Sequence, residues 1–123
     1  MANQNIAALV LANATASANG ADLENVSGRA AHVVIDITSI TGTAPTATFT
    51  VQGKDPKSGK YYTILASAAL NAAATTVLRI GPALTAAANL VANDVVPRTF
   101  RVICVTGGTV TDLDATVGVS LVD

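Results

Sequence analysis

Tryptophan is absent from this chain of 123 residues, and histidine, cysteine and methionine occur once each. Aromatic residues fill only 3% of positions and charged residues only 12%. Each shortage excludes something. A single cysteine, Cys104, forms no intramolecular disulfide, so packing alone has to hold the fold. A domain of this length buries roughly two-thirds of its unfolded surface, which is enough. Cys104 lies in an apolar run at 100–105 and reads as a small buried hydrophobe. His32 has no second imidazole and no neighbouring thiol, so a zinc centre has no ligand set. His32 and Asp36 share a strand face but stand about 13 Å apart at ~3.3 Å per residue, too far to share a metal.

The carboxylates are equally unpromising. Asp22, Glu24, Asp36, Asp55, Asp94, Asp112, Asp114 and Asp123 fall mostly in turns or at the terminus, where Asp serves turn and capping roles. Asp55, Asp112 and Asp114 are the nearest approach to a loop calcium site, without the dense oxygen spacing such loops show. No Gly-x-Ser-x-Gly elbow, phosphate-cradling loop or dinucleotide fingerprint occurs. The chain reads as a non-enzyme without metal or cofactor.

Ordinary domains carry roughly 25% charged residues, about twice the share here, and the net charge is only −1. A surface so neutral favours association, and covering by other subunits is the simplest resolution. Lys54, Lys57 and Lys60 form the one basic cluster, inside a hairpin turn, so nucleic acid is not an expected partner. No run approaches the roughly 20 apolar residues of a membrane-spanning helix. The N-terminus has no Lys or Arg before Arg29 and so lacks the basic start of a signal peptide. An unprocessed protein made in the cytoplasm is expected, in which the sequons at Asn13 and Asn25 are accidental.

What the chain does have is period-two alternation. In 46–53, Ala47, Phe49 and Val51 share one face and threonines the other. In 31–40, Val33, Ile35 and Ile37 point inward, opposite His32, Val34, Asp36 and Thr38. Further strands are expected at 61–66, 75–80, 99–105 and 115–122, with a seventh at 6–12. Thr41-Gly42-Thr43-Ala44-Pro45 reads as a turn in which Pro45 ends the ladder. Gly107-Gly108 and Asp112 mark another, and 54–60 is a hairpin loop with Pro56 and Gly59. The alanine-rich stretch 82–94 is expected to be a short helix or an extended loop, and 66–74 a similar connection. The expected fold is all-β, a single domain over 1–123: an antiparallel sandwich or jelly-roll-like arrangement of about seven strands. Residues 1–28 supply an N-terminal arm and the first strand. Val33, Ile35, Phe49, Val51, Phe100, Val102, Val117 and Val119 are expected to share one core.

Several segments together resemble a known family. They are the apolar strand 33–40, the Thr-Gly-Thr-x-Pro turn 41–45, and the strand 46–55 ending Val-Gln-Gly-Lys-Asp. Gly59-Lys60-Tyr61-Tyr62, the Val-Leu-Arg-Ile-Gly-Pro step 77–82 and the late strand 97–102 follow. This pattern is similar to small β-sandwich virion proteins of tailed bacteriophages, some of which decorate or cement the capsid shell. Many relatives carry Trp where this chain has Tyr61 or Tyr62. The resemblance implies a structural protein on the virion surface, partnered by the major capsid protein and by itself, with a homotrimer favoured. A neck or tail protein of the same virion is the rival reading. From a different class comes a carbohydrate-binding or adhesin module, for which the aromatics are sparse. Phe49 and Phe100 alternate inward, and of Tyr61 and Tyr62 one should pack inside and one face out. Intersubunit contacts are expected from a mobile N-terminal arm (Ile6, Leu9, Leu11) or from the 82–94 loop (Leu84, Leu90, Val91), since exposed apolar patches mark interfaces.

Overall fold

The computed structural model describes residues 4–122 and places them in one hydrogen-bonded β-sheet; no helix occurs among the described residues. The all-β expectation therefore holds, while the expectations for residues 1–3 and Asp123 lie outside the described residues. The strands are β1 (Gln4–Ala14), β2 (Ala18–Asn19), β3 (Leu23–Glu24), β4 (Ala30–Lys54), β5 (Tyr61–Ala66), β6 (Ala74–Gly81), β7 (Val91–Asn93) and β8 (Thr99–Val122). Their order is β1-β8-β4-β6-β7, with β2 and β3 also on β8 and β5 also on β4. Every pairing is antiparallel except β6 with β7.

The axis of the sheet is the ladder between β4 and β8, which runs from Ala30 opposite Val122 to Gly53 opposite Phe100. Neither expected mid-segment turn is a turn. Residues 31–40 and 46–53 are halves of one strand, as are 99–105 and 115–122. The turn residues of the two strands face one another, so neither strand can reverse without abandoning its partner. They form facing irregularities instead: Thr43 pairs with Thr109 and Thr46 with Gly107, leaving Ala44 and Pro45 opposite Gly108. Ala44 (φ 47°) and Gly108 (φ 65°) are both left-handed. A Cβ on Gly108 would lie 2.0 Å from the Ala44 carbonyl oxygen, so only glycine fits. Pro45 sits inside the gap, where its missing N–H removes no ladder bond.

These irregularities let the ladder double back. The Asn25 N–H bonds the Arg98 carbonyl at 2.7 Å, and the Arg29 N–H bonds the Val122 carbonyl at 2.9 Å. Straight, the strand from Arg98 to Val122 would span roughly 80 Å. The four-residue step from Asn25 to Arg29 reaches at most ~14 Å. Both ends of β8 are therefore close together. Asn25 fastens the closure: its buried amide donates to the carbonyls of Gly28 (2.7 Å) and Val96 (2.9 Å), and its Oδ1 accepts from the Gly28 N–H at 2.8 Å. An amide held this way is no glycan acceptor.

Folding back gives each half of the sheet a cover. Val33, Ile35, Ile37, Ala47, Phe49 and Val51 of β4 are buried, together with Phe100, Val102, Cys104, Leu113, Val117 and Val119 of β8, in one contiguous cluster. All eight expected core residues are in it. The inward phase of β8 changes from even to odd positions, because Thr41 pairs with Asp112 but Gly42 pairs with Val110, an extra residue that flips the side chains.

A similar shift corrects the N-terminal expectation. Between Ala7 and Leu9 the register on β8 slips, and Ala8 and Leu9 both turn inward. The strand expected at 6–12 thus forms, as the edge strand Gln4–Ala14 and not a mobile arm, and Leu9 and Leu11 belong to the core. Of the two expectations for 82–94, the extended loop holds and the helix does not, with Val91–Asn93 forming β7. Ala83 (φ 62°) and Asn89 (φ 61°) are left-handed, and the stretch closes by pairing β7 with β6 through Arg79 N–H to the Leu90 carbonyl (2.9 Å). A segment this short is marginal as a helix, so strand pairing prevails. The 66–74 connection is stitched to β4, with Ser67 and Leu70 bonding Phe49 and Ala47.

Phe49→Ala or Phe100→Ala should each cost about 3–5 kcal/mol in urea unfolding, because both rings are fully buried. Asn25→Ala, which strands buried carbonyls at the closure, should cost about 1–3 kcal/mol by the same measurement.

Candidate functional site

On the outer surface of the half-sheet formed by β1, β8, β4 and β6, register sets side chains in rows. Asn5, Ser120, His32 and Arg79 form one row, and Val10, Thr116, Asp36 and Thr75 another. Between them run Ala7, Gly118, Val34 and Val77. This middle row has no polar side chain. A Cβ on Gly118 would meet nothing within 4 Å, so the row dips into a shallow trough of about 440 Å³. Val10 (66% exposed) and Val34 (37%) stand on its walls. The trough has the character of a contact surface: open, apolar at its centre, with polar groups at its margins.

The expected contact residues divide differently. Leu9 and Leu11 are core, Ile6 is half-buried against it, and Val91 is half-buried in β7. Only Leu84 and Leu90 (50% exposed) present substantial apolar surface. Leu84 packs beside Gly81 at the mouth of a cleft with Arg29 and Pro82. Val10 and Val34 were the missed residues. Val34 carries a signal, an apolar side chain in the outward phase of an alternating strand, whereas the slip at Ala8 removes that signal from Val10.

The other half of the sheet carries the opposite chemistry outside. Tyr61 Oη donates to Asp22 Oδ1 at 2.6 Å, and Lys54 Nζ lies 2.9 Å from Asp22 Oδ2. The Arg101 guanidinium stacks 3.5 Å over the Tyr61 ring and donates through Nε to Gln52 Oε1 at 2.9 Å. The Tyr61 hydroxyl and then the Lys54 ammonium hold the Asp22 carboxyl below its ordinary value, and Asp22 raises Lys54 in return. These groups satisfy one another, so the cluster ties the segment before β3 to the β4–β5 hairpin rather than offering free reactive groups. That hairpin loop forms as expected, with Gly59 left-handed (φ 75°). Ser58 and the Lys57 N–H bond Asp55 and lower its carboxyl.

The remaining candidates do not assemble. His32 is exposed on the outer face. Cys104 is buried, and burial pushes its thiol up to about 11, where it is a poor nucleophile. Asp114 accepts the Asn13 N–H at 2.7 Å, Asp112 keeps one buried oxygen without a partner, and Asp55 lies in the hairpin loop. No grouping of three His, Cys, Asp or Glu able to hold a metal occurs among the described residues. No helix there is long and apolar enough to cross a membrane. Neither tyrosine packs inside: Tyr61 is half-buried and Tyr62 is 47% exposed. Both lie at the end of the sheet, where the core opens.

The lowered Asp22 value has a sign that can be checked. A carboxylate depressed in the folded state adds stability above its ordinary pKa of 3.8 and loses it as pH falls through the lowered value. Asp22→Asn should therefore be less stable than wild type at neutral pH, and the gap in thermal midpoint should narrow below about pH 4. Comparison with protein-family models, curated proteins and solved structures finds no match to this chain.

Proposed function

We propose that this chain is a structural protein of a tailed-bacteriophage virion, a decoration or cement protein that adds contact area to the head shell. The major capsid protein is then its partner, and copies of itself complete the lattice contacts, a trimer suiting local three-fold positions. The observation that carries the reading is the trough over Gly118. It is open, with apolar walls and no ionised side chain in its central row. Such a surface gains by being covered and gives up little charge hydration when it is. The exposed Leu84 and Leu90 supply a second apolar contact on the 82–94 loop. The resemblance of the sequence pattern to virion β-proteins is what supports a capsid as that lattice. Chemistry has no part in this reading, since His32 is isolated and Cys104 is sealed in the core.

Purified protein added to undecorated shells tests it. Val10→Asp and Val34→Asp place a charge on the trough walls without touching the core, and each should weaken binding roughly ten- to a hundredfold, the effect of burying an unpaired polar group. Leu90→Asp tests the loop in the same way. Wild-type binding should change little between low and high salt, because few charges are there to be screened. Full affinity in all three variants, or binding that collapses in high salt, would remove these surfaces as the attachment site. Deleting β1 is uninformative, because it would take Leu9 and Leu11 out of the core.

A further inference from the structure

Away from the trough, the open end of the sheet holds a cleft of about 590 Å³ lined by Lys54, Asp55, Pro56, Tyr62, Pro97, Arg98 and Thr99. That volume falls within the ~300–1,000 Å³ of small-molecule sites. Tyr62 is its aromatic wall, and the ring is fixed in a particular way. Tyr62 stands opposite Gly53 on the neighbouring strand. A Cβ built on Gly53 would lie 2.5 Å from both Cζ and Oη of Tyr62 and 2.8 Å from Cε2. Those atoms place the hydroxyl end of the Tyr62 ring over Gly53. The Tyr62 side chain therefore crosses the space a Gly53 Cβ would fill, an aromatic covering a strand glycine. Tyr62 also lines the cleft, and the residue stays 47% exposed.

The rim is polar and of both signs, and its two cations are paired. Arg98 pairs with Glu24, and Lys54 pairs with Asp22. Asp55 is held by the Ser58 hydroxyl at 2.6 Å and the Lys57 N–H at 3.1 Å. Donors and acceptors are thus positioned beside an aromatic wall, with both rim cations already paired to carboxylates. A ligand matching this has one flat apolar face and a perimeter of hydroxyl groups. That is a pyranose ring. A polyproline segment fits less well, because such grooves are built from several aromatic ridges and this cleft has one ring.

We propose that the Tyr62 cleft binds a neutral saccharide, one ring stacked on Tyr62 with its hydroxyls bonded to Arg98, Lys54 and Asp55. The site shares no residue with the trough and stands independently of the shell reading.

The test is a titration of the isotope-labelled full chain with glucose, N-acetylglucosamine and maltotriose, followed by amide shifts and by tyrosine fluorescence, which no tryptophan obscures. At least one sugar should give saturable shifts centred on Gly53, Tyr62, Arg98 and Thr99. Tyr62→Ala should abolish them, Arg98→Ala should weaken binding several-fold, and Tyr61→Phe should leave it unchanged. The amide spectrum of each free variant reports whether it folds, and Arg98→Ala, at an exposed side chain, serves if Tyr62→Ala does not. Absence of saturable shifts with all three sugars overturns the proposal. So do shifts that persist undiminished in a folded Tyr62→Ala or, where that variant does not fold, in Arg98→Ala. A proline-rich peptide that moves these amides while the sugars do not also overturns it.

Discussion

Everything in this structure depends on the β4–β8 ladder doubling back and being tied shut by residues 25–29. A single sheet has two faces and no second layer. Its apolar face can leave water only if the sheet supplies its own cover. Asn25 and Arg29 hold the two ends of β8 by main-chain bonds, and the Asn25 side chain holds the tie itself. The bend places Ala44 and Gly108 in left-handed conformations, unusual for the alanine. The energy recovered is the burial of both half-faces. Within the core, large residues sit beside small ones, Phe49 opposite Cys104 and Phe100 opposite Gly53. Two phenylalanines suffice for that reason, and the scarcity of aromatics in the sequence is a property of a thin, valine-rich interior.

Once the inner face is committed, function can only be written on the outside, and the two halves of the sheet are written differently. Around Tyr61, five polar side chains from β4, β5, β8 and the segment before β3 are consumed in bonding one another. Exposed ion pairs of this kind contribute little to stability, but they fix the hairpin against the rest of the sheet. Across Gly118 the outer surface has no such network. A bare glycine between Ala7 and Val34 stabilises nothing in the isolated chain, since glycine weakens a strand interior. Its value lies in what can approach it.

The inner face was largely legible. Val33, Ile35, Phe49, Val51, Phe100, Val102, Val117 and Val119 alternate cleanly, and all are buried. Connectivity was not. Thr41 to Pro45 and Gly107-Gly108 carry turn chemistry, and nothing local tells a chain reversal from two irregularities facing each other across a ladder. That difference is set by pairing between residues some 60 positions apart. The strand expected at 6–12 forms, but its edge place on β8 was not legible, because the slip at Ala8 turns consecutive residues inward and breaks the alternation. β2, β3 and β7, at two or three residues each, are too short for any periodicity. One wall of the trough was legible, because Val34 lies in the outward phase of 31–40 and Gly118 in that of 115–122. An outward valine beside an outward glycine is a weak signal alone, and only the register that sets Ala7, Gly118 and Val34 in one row gives it meaning.

The closure that makes the core also builds the cleft at Tyr62. Arg98 gives its carbonyl to Asn25 in the tie, and its side chain, paired with Glu24, is thereby set on the rim beside Pro97 and Thr99. Gly53, the last inward position of β4 before the hairpin, leaves the space that the Tyr62 side chain crosses. A larger residue there would lift the ring and close the opening. The end of the sheet is thus shaped by the backbone bonds that hold the fold together, not by a mobile loop, and its rim is pre-organised before any ligand arrives. A preformed cleft orders little on binding, which is what a site with one aromatic ring and few hydrogen-bonding groups requires to hold a small ligand at all.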